Sequence, residues 1–380
     1  MALELNLLKE TNAFYCLECG KCTGVCPVAR YSGSFSPRRV LARSLFDSHP
    51  GENESGGLWS CLTCGQCEEV CPSNIDYDRF IQLQRKALGI EKREGACSHG
   101  GIIESISRLM SMEKINQNRL DWLDRSMVSD KSDVLFFTGC LPYFEVLFEE
   151  IEADPLNIAR STLKILNHMG VKPQVLANER CCGHDFFWNG DYAMFEKLAQ
   201  TNLALIEKSG VKTVITACPE CYRTIKKDYP SLNGKQSFAV LHISEFIAKN
   251  SDKLKFHKEG IEQIITFQDP CRLGRHMSVY DAPREVLSGL PGMSLTEMAH
   301  HHRRAICCGV SGWMNCSQIS KNIQANRLRE AHRTGAEILV TACIKCKIHL
   351  MCAMRDQTLH DEVGLTIRDM TEVVAEHLEA

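Results

Sequence analysis

Two kinds of hydrophobic pattern divide the chain. From Met1 to about Gln84 apolar positions are sparse, and the clearest periodicity is helical. Pro37 to Phe46 sets Val40, Leu41, Leu45 and Phe46 on one side, behind a proline suited to a first helical position. Asp78 to Leu88 repeats that pattern, and Gly95 to about Asp130 is polar and helix-prone, a connecting helical segment. Beyond it short continuous apolar runs take over. Val134 to Cys140 (VLFFTGC) is a buried-strand pattern ending in a cysteine, with Ile261 to Cys271 (IEQIITFQDPC) as its counterpart. LAQTNLALIEKSGVKTVITACPEC, ending at Cys221, aligns in the same way with IQANRLREAHRTGAEILVTACIKC, ending at Cys346. In each, an amphipathic helix stops at a glycine, Gly210 or Gly335, and the strand that follows ends in Thr-Ala-Cys.

This second half is an internal duplication. Strands alternating with helices predict two α/β units with parallel strands, one from about Asp133 and one from about His257. The organisation expected is a helical domain over 1–90, a connecting helical segment over 91–132, and α/β domains over 133–256 and 257–380. Ligands of parallel sheets sit in the loops at the carboxyl ends of the strands. Here those loops carry the cysteines.

The 380 residues are 44% hydrophobic, enough for a large core and two or three domains. A net charge of -3 and a pI near 6.5 leave no electrostatic footprint for nucleic acid or an anionic membrane. No run reaches membrane-spanning length, and Glu4, Lys9 and Glu10 interrupt the first leucines, unlike a secretory signal. A soluble, cytoplasmic chain is expected, or one held peripherally at a membrane by a partner. A disulfide framework belongs to short secreted chains, so the 21 cysteines read as reduced thiols that bind metal.

Eighteen of them fall into two motifs, each present twice. Cys16, Cys19, Cys22 and Cys26 precede Pro27, and Cys61, Cys64, Cys67 and Cys71 precede Pro72. Both copies are the bacterial ferredoxin run C-x2-C-x2-C-x3-C-P, in which the fourth cysteine serves the other cluster. One cubane 4Fe-4S cluster would take Cys16, Cys19, Cys22 and Cys71, and a second would take Cys61, Cys64, Cys67 and Cys26. Zinc is the alternative reading. The second motif is Cys140, Cys181-Cys182 and the C-x-x-C of Cys218 and Cys221, repeated as Cys271, Cys307-Cys308, Cys343 and Cys346. Corresponding cysteines lie 131, 126, 126, 125 and 125 residues apart, so the copies differ in length mainly before the pair. Five thiols exceed the four of a tetrahedral zinc or a cubane, and adjacent cysteines suit a larger, irregular cluster. Gly183 and Gly309 after each pair allow a sharp turn. Spacing alone leaves iron-sulfur, zinc and a dithiol redox site open.

The segments Cys181-Cys182-Gly183, Cys218-Pro-Glu-Cys221, Asp269-Pro-Cys271-Arg-Leu-Gly-Arg275, Cys307-Cys308-Gly309 and Cys343-Ile-Lys-Cys346 resemble the paired CCG domain of the heterodisulfide reductase B subunit. Joined to a two-cluster ferredoxin domain, the chain resembles the D subunit of that family, which is equivalent to the C and B subunits fused. The resemblance implies an α-helical ferredoxin-like domain followed by a duplicated α/β pair. It also implies a non-cubane 4Fe-4S cluster on each five-cysteine motif. The proximal one would use Cys140, Cys181, Cys182, Cys218 and Cys221, and the distal one Cys271, Cys307, Cys308, Cys343 and Cys346. A disulfide between them would be cleaved with one electron from each. Related chains of glycolate, lactate and glycerol-3-phosphate oxidising complexes often lack ligands in one copy, whereas none is missing here.

Cys97, Cys316 and Cys352 fall outside every motif and read as small buried hydrophobes. His300 to Arg304 (HHHRR) reads as a solvated basic loop, or as a supplier of protons or an anion site. Lys345, Arg272 and Arg275 either tune a cluster or bind substrate, with surface ion pairing as the plain alternative. No G-x-G-x-x-G or P-loop marks a nucleotide site, so electrons would come from a partner. The partner expected is a flavoprotein like the heterodisulfide reductase A subunit, or a haem membrane subunit. Three functions compete: a disulfide-reducing subunit, an electron relay within a larger flavin-containing or quinone-linked complex, and a zinc-stabilised interaction module.

Overall fold

The computed structural model describes residues 8–46, 56–89, 97–257 and 262–379. The expected boundary at 90 and 91, Gly95, Ile261, the first seven residues and the side chain of Phe46 lie outside them.

Among the described residues before 97 the regular elements are helical, at Lys21–Val25, Pro37–Phe46, Gly56–Ser60 and Tyr77–Leu88. The last is capped by Asp76, whose carboxylate accepts from the Arg79 backbone N–H, and stops at Gly89. Its Phe80 and Ile81 are fully buried with Leu41, Trp59 and Val28 in a small separate core. The connecting segment is helical only over Ile102–Leu109, with single 3-10 turns at Ser98–Gly101 and Arg125–Met127. Asn116, Asn118, Asp121 and Asp124 explain the shortfall, because such side chains compete for the backbone; Asp124 accepts from the Ser126 N–H.

Two all-parallel sheets follow. Strands β1 (Val134–Phe136), β2 (Thr213–Thr216) and β3 (Ala239–His242) pair in the order β1-β2-β3. Strands β4 (Gln263–Gln268), β5 (Met293–Leu295), β6 (Ile338–Thr341) and β7 (Thr366–Asp369) pair in the order β5-β4-β6-β7. The extra edge strand β5 has a remnant in the first unit. Gln174 bridges Leu135 in parallel, accepting from Phe136 N at 2.9 Å and donating to Val134 O at 2.8 Å. Pro173 beside it has no N–H to continue the ladder. β1 ends at Phe136, so Cys140 lies in the turn beyond the strand rather than at its end, and Cys271 likewise follows Gln268. The helix Tyr192–Ser209 stops on Gly210 as expected, while its counterpart Gln318–His332 ends before Thr334, two residues short of Gly335.

Helices pack the two units together: on Pro155–His168, Asn157 Nδ2 reaches Glu372 Oε1 at 3.0 Å and Lys164 Nζ reaches Ala375 O at 2.8 Å. The N-terminal helices dock on the helix His184–Asn189 of the first unit. Buried Arg85 donates to Trp188 O at 2.8 Å, and Trp59 Nε1 to Asn189 O at 3.4 Å. Gly190, at φ +91, admits this approach, since a Cβ there would stand 2.5 Å from Arg85 O. Among the described residues no helix is long and apolar enough to cross a membrane.

Candidate metal centres

The two N-terminal cysteine runs share one backbone shape. Glu18 and Thr63, at equivalent positions, have φ of 51 and 44, and Gly20 and Gly65 have φ of 77 and 74. These left-handed residues give the two loops the same tight turns. Cys16, Cys19 and Cys22 line a cavity together with Cys71 and Cys67 from the other run. Cys26 in turn faces the second loop. Burial, with the neighbouring Cys64 adding, pushes its thiol up to about 12. Burial likewise pushes Cys61 and Cys67 well up. A buried thiol that resists ionisation fits a metal ligand, because the metal supplies the charge that stabilises the thiolate. Each run thus lies against cysteines of the other: Cys67 and Cys71 beside the first loop, and Cys26 near Cys64 of the second.

Each five-cysteine motif also closes on itself. Hydrogen-bonded thiols run Cys140, Cys181, Cys182, Cys221, Cys218 in the first unit. In the second they run Cys271, Cys307, Cys308, Cys346, Cys343, with 3.3 Å between the Sγ atoms of Cys308 and Cys346. The order is the same in both. Adjacent cysteines reach one site because Gly183 and Gly309, at φ +84 and +90, turn the chain directly after each pair. Five sulfurs in so small a space match the donor set of an iron-sulfur cluster rather than one zinc ion.

The three regions meet. Cys307 hydrogen-bonds Cys64 as well as its own motif, and this bond lowers the Cys64 thiol to about 6 against burial. The motif in sulfur contact with the N-terminal loops is thus the second, which reverses the proximal and distal order expected from the resemblance. The first motif faces the second: against the hydrogen bond with Cys346, burial and then the nearby Cys218 push the Cys343 thiol up to about 11. Between them stands a buried ion pair. Lys345 Nζ lies 2.5 Å from Asp185 Oδ1 and 2.5 Å from Glu220 Oε2. Glu220 and Lys345 hold the same place in the two C-x-x-C turns. Burial pulls the ammonium down, but the two carboxylates outweigh it and hold Lys345 well above its usual range. One ammonium serves two acids: Asp185 is held well below the usual carboxylate range despite burial, chiefly by Lys345. Burial, opposed by Lys345, pushes Glu220 up to about 8. His184 donates from Nδ1 to Asp185 at 3.0 Å, and its Nε2 accepts from Arg272 Nε at 3.0 Å.

Several expectations change in the light of this geometry. Lys345, Arg272 and Arg275 make no surface pairs: Arg272 is 3% exposed, and Arg275 Nε donates to Cys64 O at 2.5 Å. Lys345 is buried as well. His184, Asp185 and Glu220 were not anticipated, although opposite charges at one position of two C-x-x-C turns are visible in the chain. The His300–Arg304 loop is tied to the segment around Cys271, with His302 N donating to Asp269 Oδ2 at 2.9 Å and Arg275 Nη1 to Arg303 O at 3.3 Å. It borders a cavity of about 280 Å³ that Cys26 also lines. Among the unassigned cysteines Cys316 is exposed rather than buried, and Cys97 and Cys352 are half-buried, with Lys321 Nζ 2.9 Å from Cys352 Sγ.

Known proteins share these parts. The 4Fe-4S dicluster domain family matches residues 12–75, and the cysteine-rich domain family matches twice, at 134–226 and 265–351. The D subunit of the dihydromethanophenazine:CoB--CoM heterodisulfide reductase of Methanosarcina mazei is 35% identical over 70% of this chain and 64% of its own length. The chain thus spans under two thirds of that relative. The B subunit of the fumarate reductase (CoM/CoB) of Methanothermobacter marburgensis is 27% identical over 94% of this chain and 71% of its own length. A crystal structure of a hypothetical protein from Helicobacter pylori shares the fold, with a TM-score of 0.53 and 10% identity over 91% of this chain and 68% of that one.

Proposed function

We propose that this chain, which belongs with the D subunits of heterodisulfide reductase, passes electrons from a partner through a ferredoxin-like cluster pair to two non-cubane 4Fe-4S sites that reduce a disulfide. The reading divides it into a ferredoxin-like domain over 1–90, a connector over 91–132, and CCG domains over 133–256 and 257–380. Cys16, Cys19, Cys22 and Cys71 would hold one cubane, and Cys61, Cys64, Cys67 and Cys26 the other. Cys140, Cys181, Cys182, Cys218 and Cys221 would hold one non-cubane cluster, and Cys271, Cys307, Cys308, Cys343 and Cys346 the second. When bound, these clusters supply one-electron transfers, and the disulfide takes up two electrons and two protons and leaves as two thiols.

The observation that carries the reading is the succession of thiols. Contacts run from Cys64 to Cys307 and through the second motif to Cys343, and Cys218 of the first motif is close enough to act on Cys343 through space. Cys19 is exposed, which suits the first run to a donor, a flavoprotein or a haem membrane subunit. A cytoplasmic location, or one at the membrane in the grip of that donor, fits this arrangement.

A relay without a disulfide substrate is the second reading, and one observation favours it. The Lys345 ion pair already fills space between the two motifs. EPR of the anaerobically purified, oxidised chain with and without a thiol separates the two. A paramagnetic signal that appears only with thiol supports disulfide reduction. Full iron content with no signal that responds to thiol would turn the assignment to the relay.

A further inference from the structure

Arg272 follows Cys271 in the chain, yet its guanidinium belongs to three places at once. Nη2 donates to Thr63 Oγ1 at 2.6 Å, and Nη1 donates to Thr63 O. Thr63 stands between Cys61 and Cys64, in the loop assigned to the second cubane. Nε donates at 3.0 Å to His184, two residues after Cys182 of the first motif. The guanidinium also lies 4.2 Å from the ring centre of Trp188, in the helix that receives the N-terminal helices. One side chain thus touches the loop of the cubane run, adjoins the second motif through its own backbone, and reaches the first motif through His184. A planar fork can serve such divergent acceptors, whereas a lysine ammonium on a flexible stem serves them poorly.

We propose that Arg272 is the positioning residue that fixes the cubane loop against both five-cysteine motifs and places a permanent positive charge where the three meet. This rests on the cluster reading above. The charge stabilises added electrons on its neighbours, because net charge and hydrogen bonding set cluster potentials. The fork holds the Cys64 to Cys307 approach, over which electrons pass from one domain to the other.

The test uses the anaerobically purified full chain and its variants Arg272→Gln, Arg272→Lys, Thr63→Val and Ser311→Ala, with iron and sulfide measured first. Redox titration followed by EPR reads each potential, and rapid-freeze EPR after reductant reads the rate at which the second motif's site fills. Arg272→Gln should shift the potentials of the second cubane and the second motif to more negative values. Arg272→Lys should keep those potentials while slowing the filling by about ten- to a hundredfold, the usual cost of losing an outer partner. Thr63→Val keeps the charge and removes the hydroxyl that Arg272 and Ser311 share, so it should slow filling with potentials unchanged, even if Arg272→Gln fails to fold, and Ser311→Ala, which removes only the Ser311 bond, should leave the filling rate as in the wild type. Wild-type filling rates in Arg272→Lys and Thr63→Val at full iron content, or unshifted potentials in a folded Arg272→Gln, would overturn the proposal. A wild-type chain with no iron at the five-cysteine motifs would instead sink the cluster reading itself.

Discussion

Replacing Lys345 with methionine removes the ammonium that two buried carboxylates share, and the cost can be worked through. Losing one partner of a buried ion pair costs about 3–5 kcal/mol, because a charge is left without compensation. Here the orphan is Asp185. Glu220, pushed up to about 8, holds its proton at neutral pH. In the wild type Asp185 is held below its unfolded value near 3.9, so it adds stability above that value, and the gain is lost as pH falls through the folded pKa. Without Lys345 the sign reverses: burial raises the Asp185 carboxyl, and the variant loses stability as pH climbs from about 4. At 1.36 kcal/mol per pH unit the penalty is about 1.5 kcal/mol at pH 5 and reaches its full 3–5 kcal/mol between about pH 6 and 7.5. Trp313, whose ring centre lies 5.4 Å from Lys345 Nζ, and Trp188 beside His184 report the site by fluorescence. Denaturation midpoints of Lys345→Met and wild type at equal iron content, at pH 5 and pH 8, measure the difference. Adding Asp185→Asn should recover most of the loss at pH 8. A deficit under about 1 kcal/mol at pH 8, or one equal at both pH values, refutes the reasoning.

Cys182→Ser or Cys308→Ser should abolish one non-cubane signal and leave the ferredoxin-type signals intact, as EPR with iron quantitation would read; unchanged iron and spectra would count against the five-thiol sites. Cys26→Ser should damage the cluster whose other ligands are Cys61, Cys64 and Cys67, and loss confined to its own loop would show that the fourth ligands do not cross. Gly190→Ala, at φ +91 with its Cβ set 2.5 Å from Arg85 O, should cost at least about 1–3 kcal/mol in unfolding free energy. Free accommodation there would mean that the N-terminal helices sit further from the first unit.

What could be read from the chain was mostly local. The cysteine runs, the glycine after each pair, the capped helices and the strand-helix alternation depend on neighbours a few residues away. The duplication was legible for the same reason, whereas its disguised part, the Gln174 bridge in place of β5, emerged only in the fold. Contacts between distant segments left no such trace. Arg272 meets Thr63 across 209 residues of sequence, and nothing in the composition near it distinguishes a buried fork from a surface pair. The order of the two motifs relative to the N-terminal loops was misplaced on the same ground, because a repeat of equal spacing does not say which copy lies nearer. The ion pair of Glu220 and Lys345 stands between these cases. Its opposite charges at one repeated position were in view, but the sharing of Lys345 with Asp185 required the folded arrangement.

Exposure of the thiols differs sharply along the succession. Cys19 is exposed, whereas Cys181, Cys182, Cys221, Cys307, Cys308, Cys343 and Cys346 are all buried. Oxidation of cysteine follows thiolate character and access, so peroxide or oxygen in solution meets the outer loop before it meets the paired motifs. Oxidation would therefore begin at the rim, at Cys19, and under the proposed reading it would cut the electron supply before it reached the interior.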